Sequence, residues 1–226
     1  MDIGRRGIQS RFYEEYFHTR FVYDERREPV WREVVHYLQD RYIPEDSTVL
    51  ELGAGYCHFI NNVVAKERHA LDIFTQFEDY AAEGIKTHIG TCTDLSHLED
   101  NSVDVVFASN LFEHLVHDDL LTTLDEILRV MRPGGRMMAL QPNFKYCYRT
   151  YFDDYTHLQI FTAEGLFDLF EMTGLKVIDN QPRFLPVNMK STLKLKLPML
   201  HLWVRLYLRM PYRPLAGQML LVAEKP

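Results

Sequence analysis

Short apolar runs alternate with amphipathic stretches along most of this chain. Five runs have the length and apolar content of buried strands: TVLEL, HALDI, IKTHI, VDVVFAS and RMMAL. Helical patterns lie between and after them. The clearest is DDLLTTLDEILRVM, which Asp118 or Asp119 would cap and which ends at RPGG. Strands that alternate with helices predict βαβ units and a parallel sheet covered on both faces.

The two ends of the chain extend this pattern. Residues 10–42 have a helical pattern, with a helix that begins at Pro29 and ends before Pro44. Near the carboxyl end, GLKVIDNQPRFLP and GQMLLVAEKP have the pattern of two more strands, and the roughly 30 residues between them are far more than a turn needs. We therefore expect an N-terminal helical cap over 1–44 and a domain over 45–226 with an insertion at about 186–216.

The most informative motif is VLELGAGYC, in which the first apolar run leads into a glycine turn and then a predicted helix. Gly53 and Gly55 allow a sharp turn and leave room for a ligand against the backbone. Asp72 follows at the end of the second run, close to the spacing at which a carboxylate accepts both ribose hydroxyls. The motif therefore predicts a βαβ unit that binds a nucleoside-bearing cofactor.

Two residues argue against a dinucleotide. The third glycine of a pyrophosphate site would fall at His58, and Glu51 would place a carboxylate near the phosphates. A cationic cofactor reverses that penalty, and S-adenosylmethionine carries a sulfonium, an ammonium and a ribose. At this motif the chain resembles the class I S-adenosylmethionine-dependent methyltransferases, whose acid-x-Gly-x-Gly-x-Gly reads here ELGAGYC, with Cys57 in place of the last glycine.

FEHL and RPGG strengthen the resemblance, which covers about residues 45–180 and favours small-molecule enzymes such as the ubiquinone-type O-methyltransferases. It implies an α/β, Rossmann-like fold: a seven-stranded, mostly parallel sheet with one antiparallel edge strand and helices on both faces. It also implies S-adenosyl-L-methionine as cofactor and S-adenosyl-L-homocysteine as product, with Asp94 on the adenine amino group. The implied cofactor-binding residues are Glu51, Gly53, Ala54, Gly55, Asp72, Ile73, Thr93, Asp94, Leu95, Asn110 and Leu111.

We expect the methyl acceptor to bind where FEHL follows the fourth strand. A hydroxyl acceptor benefits from a general base, and histidine titrates near neutral pH. His114 is the first candidate, and His157, in FDDYTHLQIFT, is the second. The alternatives are a hydrogen bond across the loop for His114 and capping of the next helix for the His157 loop. The residues expected to line the acceptor pocket are Glu113, Tyr146, Tyr151 and Tyr155.

Other classes of site are disfavoured. In EHLVHDD, the spacing of His114, His117, Asp118 and Asp119 suits helix capping better than coordination, so we expect no metal. Nucleic acid is not an expected partner, because the tetrapeptide NPPY or DPPY of nucleobase-methylating enzymes is absent and the net charge is −7. Three cysteines, no secretory signal and no apolar run of about 18 residues favour a cytoplasmic protein.

Charge is unevenly distributed, since seven basic and no acidic residues lie between Asp179 and Glu224. In LPMLHLWVRLYLRMP, a helical pattern places His201, Arg205 and Arg209 on one polar stripe of an otherwise apolar surface. Three interpretations stay open: a lid over the acceptor site, a dimer interface, or a segment at 190–213 that contacts anionic lipid or a lipid-linked phosphate substrate.

The sequence thus predicts a methyltransferase that acts on a hydroxyl group of a small metabolite or saccharide, free or lipid-linked. One alternative is N- or C-methylation, in which the acceptor needs no base. The other is a non-catalytic partner subunit that binds the cofactor. The sequence leaves the acceptor, the atom methylated and the oligomeric state undetermined.

Overall fold

The computed structural model describes residues 22–186 and 199–226, and a single seven-stranded sheet organises them. The strand order is β3-β2-β1-β4-β5-β7-β6. Their bounds are β1 Thr48–Leu52, β2 Glu67–Asp72, β3 Ile85–Ile89, β4 Val103–Ser109, β5 Met131–Pro142, β6 Lys176–Pro186 and β7 Ala216–Glu224. All seven runs that the sequence marked as strands are therefore strands of one sheet.

The sheet is mostly parallel, as predicted. Strands β1 to β5 pair in parallel, whereas β7 runs antiparallel to both β5 and β6. The reversed strand lies one position in from the edge, which β6 occupies. Because the parallel strands share a direction, their carboxyl ends meet along one edge of the sheet, where open α/β sheets bind ligands.

Helices cover both faces. Helices α1 and α5 pack on one face and α2 and α4 on the other, each against buried strand residues. The helices are α1 Glu28–Tyr42, α2 His117–Val130, the short α3 Phe144–Cys147, α4 Ala163–Met172 and α5 Leu200–Arg209. Helix α2 begins one residue before Asp118, so the two aspartates lie in its first turn and not at the predicted cap position, which Val116 occupies.

Helix α1 is part of the sheet domain. It begins at Glu28, with Pro29 in its first turn, and ends before Pro44, as predicted. Its apolar residues Val34 and Leu38 are buried in the same cluster as strand residues of the sheet, and such burial contributes about 1.5–3 kcal/mol per side chain. The predicted division at residue 44 stays a prediction, and residues 1–21 of the predicted cap lie outside the described residues.

The helix predicted after the glycine turn is wrong. Residues 55–62 form consecutive turns, and backbone hydrogen bonds run from the amide of Cys57 to the carbonyl of Ala54 and from the amide of Asn61 to the carbonyl of Cys57. Cys57 has a φ of 56°, in the left-handed region that a regular helix excludes. Cys57 occupies the position of the last glycine in the resembled motif. The residue that differs from the motif is therefore also the residue whose backbone is not helical.

The basic insertion places α5 against α1. The guanidinium of Arg205 bonds the carboxylate of Glu33, with 2.7 Å between Nε and Oε2, and Leu208 is buried below it. Arg205 therefore binds within the chain, while His201 and Arg209 are exposed. The upstream lysines of this segment, Lys190, Lys194 and Lys196, lie outside the described residues.

Candidate functional site

The glycine turn follows β1 at the carboxyl edge of the sheet. Gly53 and Gly55 have φ values of 68° and 52°, the left-handed conformation that glycine adopts without strain. The amides of Gly53 and Ala54 both donate to the carbonyl of Leu71, over 2.9 and 3.1 Å. The turn is therefore tied to the end of the neighbouring strand β2.

Asp72 lies directly against this turn. Its Oδ2 accepts the amide of Gly55 at 2.7 Å, and its Oδ1 accepts the amide of Phe74 at 2.8 Å. The side chain is nearly buried, and this burial raises the pKa of the carboxyl. A carboxylate offers about four lone-pair positions, so each oxygen keeps capacity for a ribose hydroxyl beside its backbone partner.

Glu51 braces the turn from beneath. Its Oε2 accepts the amide of Ile60 at 3.0 Å, which holds the turns after Cys57 against β1. Complete burial raises the pKa of Glu51 well above its ordinary value, and the charge of Asp72 adds to this. The structure thus shows a bracing contact for Glu51, and its contact with the cofactor stays a prediction.

The residues predicted around adenine follow β2 and β3. Ile73 is exposed beside Asp72, and Leu95 is buried. Asp94 is exposed, and hydrogen bonds from Ser96 hold its pKa below the ordinary range. Thr93, half-buried, lies between Cys92 and Asp94. This edge therefore offers one apolar and one carboxylate side chain, and their role at adenine stays a prediction.

The end of β4 reaches the glycine turn. A Cβ placed on Gly53 would lie 3.2 Å from Cδ1 of Leu111, tighter than ordinary van der Waals contact. Asn110, before it, has a φ of 50°, and its Oδ1 accepts a hydrogen bond from Gln218 on β7 at 2.7 Å. The predicted residues Gly53 and Leu111 are therefore neighbours in space.

A second polar group forms immediately after β4. Phe112–His114 is one turn of 3-10 helix, and it brings Glu113 and His114 to His157 of a later loop. One nitrogen or oxygen from each of the three side chains lies within 4.8 Å of the others, and the two imidazole centres are 4.9 Å apart. The two histidines predicted as separate candidates thus share one site.

Backbone bonds hold these two segments together. The amides of Leu158 and Gln159 donate to the carbonyl of Glu113 over 2.7 and 3.0 Å. Nδ1 of His114 lies 3.2 Å from the carbonyl of Thr156 and 2.9 Å from its hydroxyl. The hydrogen bond across the loop, considered as an alternative role for His114, is therefore present.

The loop that contains His157 caps the following helix, as the alternative proposed, but it does so through its last residue, Thr162, and not through His157. The hydroxyl of Thr162 caps α4, since it accepts the amide of Gly165 at 3.1 Å. His157 instead packs against Tyr151, with 4.5 Å between the ring centres. This arrangement leaves its imidazole in the polar group beside Glu113.

Burial controls the charge of this group. The carboxyl of Glu113 is fully buried, and within the described residues no other residue hydrogen-bonds either oxygen. That burial raises its pKa to about 8. Burial and the proximity of His157 lower the pKa of His114 to about 4. Near pH 7 the group therefore contains a neutral carboxyl and a neutral imidazole.

The three tyrosines predicted for the acceptor pocket differ in position. Tyr151 is buried, and its hydroxyl donates to the carbonyl of Gln159. Tyr146 is exposed beneath the guanidinium of Arg183, and Tyr155 is almost wholly exposed. Tyr151 contacts the histidine group through the ring of His157.

An aromatic cluster beside the glycine turn was missed. Tyr56 of the turn packs edge-on against Tyr80 at 4.8 Å and against Tyr23 at 5.3 Å between ring centres. His58 stacks on Trp31, and its Nδ1 lies 3.0 Å from Glu28 of α1. The sequence signal for this cluster is Tyr56 within VLELGAGYC. The prediction from this motif used its glycines and not its tyrosine. These contacts place the chain before α1 next to the predicted cofactor site.

Comparison with known proteins supports the class of protein. Residues 50–139 match the family model described as a methyltransferase domain. Malonyl-[acyl-carrier protein] O-methyltransferase of Methylococcus capsulatus is 32% identical over 136 residues, which cover 53% of this chain and 48% of that protein. Phosphoethanolamine N-methyltransferase 1 of Triticum aestivum is 30% identical over 107 residues, covering 43% and 22%. The chain therefore spans about half or less of the length of these curated relatives.

Solved structures agree on the fold. A S-adenosylmethionine-dependent methyltransferase from Archaeoglobus fulgidus superposes with a TM-score of 0.63 at 19% identity, covering 86% of this chain and 94% of that one. Geranyl diphosphate C-methyltransferase from Streptomyces coelicolor, solved with Mg²⁺, geranyl diphosphate and S-adenosyl-L-homocysteine, gives 0.60 at 11% identity, covering 85% and 78%. The resemblance to the class I S-adenosylmethionine-dependent methyltransferases is thus confirmed. S-adenosylmethionine is the cofactor of this class.

Proposed function

We propose that the protein transfers the methyl group of S-adenosylmethionine to a hydroxyl group of a small molecule and releases S-adenosylhomocysteine. The observation that carries this proposal is the group of Glu113, His114 and His157. It follows β4 at the edge of the sheet that also holds the glycine turn and Asp72. A proton-accepting group and a cofactor turn at one edge are what methylation of a hydroxyl requires.

At the donor end, we assign the ribose hydroxyls to Asp72, because its carboxylate is fixed by two backbone amides beside the turn. Ile73 would pack against adenine, with the buried Leu95 beneath this edge, and Asp94 would accept the adenine amino group. The sulfonium would then lie toward Leu111, which contacts the turn and leads into the acceptor group. This orientation directs the methyl group toward His114.

In the reaction, the acceptor oxygen attacks the methyl carbon as the bond from that carbon to sulfur breaks, and the oxygen gives up its proton. The protein aligns the two molecules and receives the proton. His114 is neutral near pH 7 because of its lowered pKa, and Thr156 fixes its ring. We assign the proton to His114 or to His157 beside it.

Methylation of an amine is the second candidate, favoured by the likeness to phosphoethanolamine N-methyltransferase 1. A neutral amine attacks without prior loss of a proton, so it has little need of a base. With an amine acceptor, His114→Ala should leave turnover nearly unchanged. A large loss of turnover with His114→Ala supports methylation of a hydroxyl instead.

We also propose that α5 contacts an anionic lipid surface or a lipid-linked acceptor. Trp203 and Leu206 are 55% and 57% exposed on the face turned away from α1, and Arg209 is exposed near them. An exposed apolar face flanked by basic residues is typical of interfacial helices. Among the helices of the described ranges, none has the length and apolar content to span a bilayer.

Co-sedimentation with vesicles tests the lipid proposal. Wild-type protein should sediment with vesicles that contain phosphatidylserine at low salt, and Trp203→Ser with Leu206→Ser should abolish this. Leu121→Ser, at an exposed leucine of α2, is the matched control and should sediment like wild type. Equal sedimentation of all variants would contradict the lipid proposal.

The main test uses S-adenosylmethionine labelled in its methyl group. Purified protein is incubated with the labelled cofactor and a small-molecule extract, and labelled products are identified by mass spectrometry. We expect a product labelled on oxygen, formed by wild type and lost with Asp72→Asn. A labelled product on nitrogen or carbon would support the alternatives. Cofactor binding without any labelled product would favour a non-catalytic subunit.

A further inference from the structure

We propose that Glu113, His114 and His157 bind one divalent metal ion at the acceptor end of the site. The geometry brings two imidazoles and one carboxylate from two segments of the chain within 4.8 Å of one another. Binding of the ion is inferred from this geometry and from the buried carboxyl of Glu113, and not from the proposed function. Only the role given to the ion below rests on the proposed function.

The distances suit a shared ion. Nitrogen and oxygen ligands lie about 2.0–2.2 Å from such an ion, so two ligands of the same ion are about 3–4 Å apart. Binding of an ion therefore requires small rotations of these side chains from the observed spacing of at most 4.8 Å. The backbone does not have to move, because the amides of Leu158 and Gln159 already bond the carbonyl of Glu113. Both segments are thus fixed before an ion arrives.

Glu113 gives the second, independent indication. Its relative exposure is 0%, and among residues 22–186 and 199–226 no other residue offers a hydrogen bond to either carboxyl oxygen. Buried polar groups are nearly always paired, because leaving one unpaired costs several kcal/mol, about 2–7 for neutral groups. A metal ion would supply the partner that no other described residue supplies.

His114 has the hydrogen bonding of a metal ligand. A histidine that binds a metal through one nitrogen usually donates its other N–H to a carbonyl or carboxylate. Nδ1 of His114 lies 3.2 Å from the carbonyl of Thr156, which places the lone pair on Nε2. The hydroxyl of Thr156 in turn donates to Asp154 at 2.6 Å. These contacts orient the ring as a supporting shell would.

The ligand set indicates the kind of ion. Imidazole suits first-row transition metals, and two histidines with one carboxylate on one side of an ion leave open positions on the other. We therefore expect Mn²⁺, Fe²⁺ or Zn²⁺ to be preferred over Mg²⁺. His117, Asp118 and Asp119, which follow His114 closely in the sequence, lie exposed in the first turn of α2. The third ligand comes instead from His157, 43 positions beyond His114.

An open position on the ion would receive the acceptor. A hydroxyl bound to a divalent ion loses its proton more readily, because the ion stabilises the resulting oxyanion. That proton passes to solvent, the oxygen attacks the methyl carbon, and the bond from that carbon to sulfur breaks. With the ion bound, this route replaces the transfer of the proton to His114 or His157, because a nitrogen whose lone pair binds the ion cannot also accept a proton.

The test measures metal binding directly. Untagged protein is treated with a chelator, freed of it by gel filtration, and titrated with Mn²⁺ while the signal of free Mn²⁺ is followed by electron paramagnetic resonance. Zn²⁺ content after dialysis is measured in parallel. We expect one ion per chain, and an affinity at least about tenfold lower with Glu113→Gln and with His157→Ala. His117→Ala, at an exposed histidine three positions away, should bind like wild type.

Two results would overturn this inference: no ion bound by wild type, or unchanged binding in both variants. Calorimetry with S-adenosylhomocysteine shows that each variant is folded, and His157→Ala carries the test if Glu113→Gln does not fold. Methyl transfer is assayed with and without chelator. Transfer that persists in chelator, with no ion bound, refutes the ion and leaves the proposed function standing. An ion bound by the wild type without any methyl transfer would support the metal site and contradict the proposed function.

Discussion

The donor and acceptor ends of the proposed site differ in the hydrogen bonding of their buried carboxyl groups. At the donor end, Glu51 and Asp72 are both buried, and backbone amides hydrogen-bond both of them. At the acceptor end, Glu113 is equally buried, yet no other described residue hydrogen-bonds its carboxyl oxygens. Among the described residues, the buried carboxyl groups of the donor end are therefore paired with backbone amides, whereas Glu113 at the acceptor end has no hydrogen bond from another residue.

This difference distinguishes a cofactor site that depends on the shared fold from an acceptor site that depends on the particular side chains of this protein. A site whose polar groups are satisfied by backbone depends mainly on the fold, which a whole class of proteins shares. A site with an unsatisfied buried group costs stability, and such groups concentrate where function requires them. Changes at the donor end should therefore alter cofactor affinity, and changes at the acceptor end should alter turnover.

The largest expected effect is on turnover. His114→Ala should lower kcat for a hydroxyl acceptor by about 10²- to 10⁴-fold, the usual contribution of a positioned proton acceptor. The dissociation constant for S-adenosylhomocysteine should stay within about twofold, since His114 lies outside the cofactor turn. Steady-state kinetics and calorimetry measure the two quantities. An equal loss in both would show that the two ends are not separable.

The next effect is on cofactor affinity. Asp72→Asn should weaken binding of S-adenosylmethionine by about tenfold to a hundredfold, because hydrogen bonds to a charged group contribute about 1.5–3 kcal/mol. Asp104→Asn is the control, since Asp104 lies near the start of β4 and pairs with Arg132 at 2.7 Å. Calorimetric titration decides the matter. Unchanged affinity with Asp72→Asn would remove Asp72 from the donor end.

A smaller effect concerns the point where the two ends meet. Gly53→Ala should lower the free energy of unfolding by about 1–3 kcal/mol, because its φ of 68° strains any side chain and the new Cβ would lie 3.2 Å from Leu111. Gly90→Ala is the control, since its φ is not positive and no described heavy atom lies within 4 Å of its Cβ position. Urea unfolding compares them. Equal stabilities would mean that the turn has room to relax.

The smallest effect is a pH dependence on the donor side. His88, on β3, stacks on His97 with 4.0 Å between ring centres, and burial with the charges of nearby histidines lowers its pKa to about 4. Between pH 6.5 and 4 the unfolded chain therefore binds more protons than the folded one, so stability falls as the pH falls. His88→Gln should reduce that fall by about 1 kcal/mol, after screening at this half-exposed position. Identical pH profiles would contradict this assignment.

Much of the donor end could be predicted from sequence because its signals are local. Apolar runs marked the strands, and Gly53, Gly55 and Asp72 are spaced as the turn and the carboxylate require. The prediction of a helix after the turn was wrong at Cys57, because the hydrophobic periodicity of a sequence does not show that one residue has a left-handed backbone. Periodicity averages over a window, so it does not detect a single residue that breaks the helix.

The acceptor end and the insertion depend on contacts between distant positions. His114 meets Thr156 across 42 positions, and Arg205 meets Glu33 across 172. The motifs of the sequence predicted both histidines as candidate bases. They contained no signal that Glu113 is buried beside these histidines. The polar stripe of α5 was correct in its spacing, yet one of its members, Arg205, faces α1. Tertiary packing, not local pattern, decides such pairings.

The most direct test of this account is a crystal structure of the protein with S-adenosyl-L-homocysteine. We expect the ribose hydroxyls to form hydrogen bonds with the carboxylate of Asp72, and the sulfur to face the group of Glu113, His114 and His157. A nucleoside bound away from Asp72, or a sulfur directed away from His114, would contradict it.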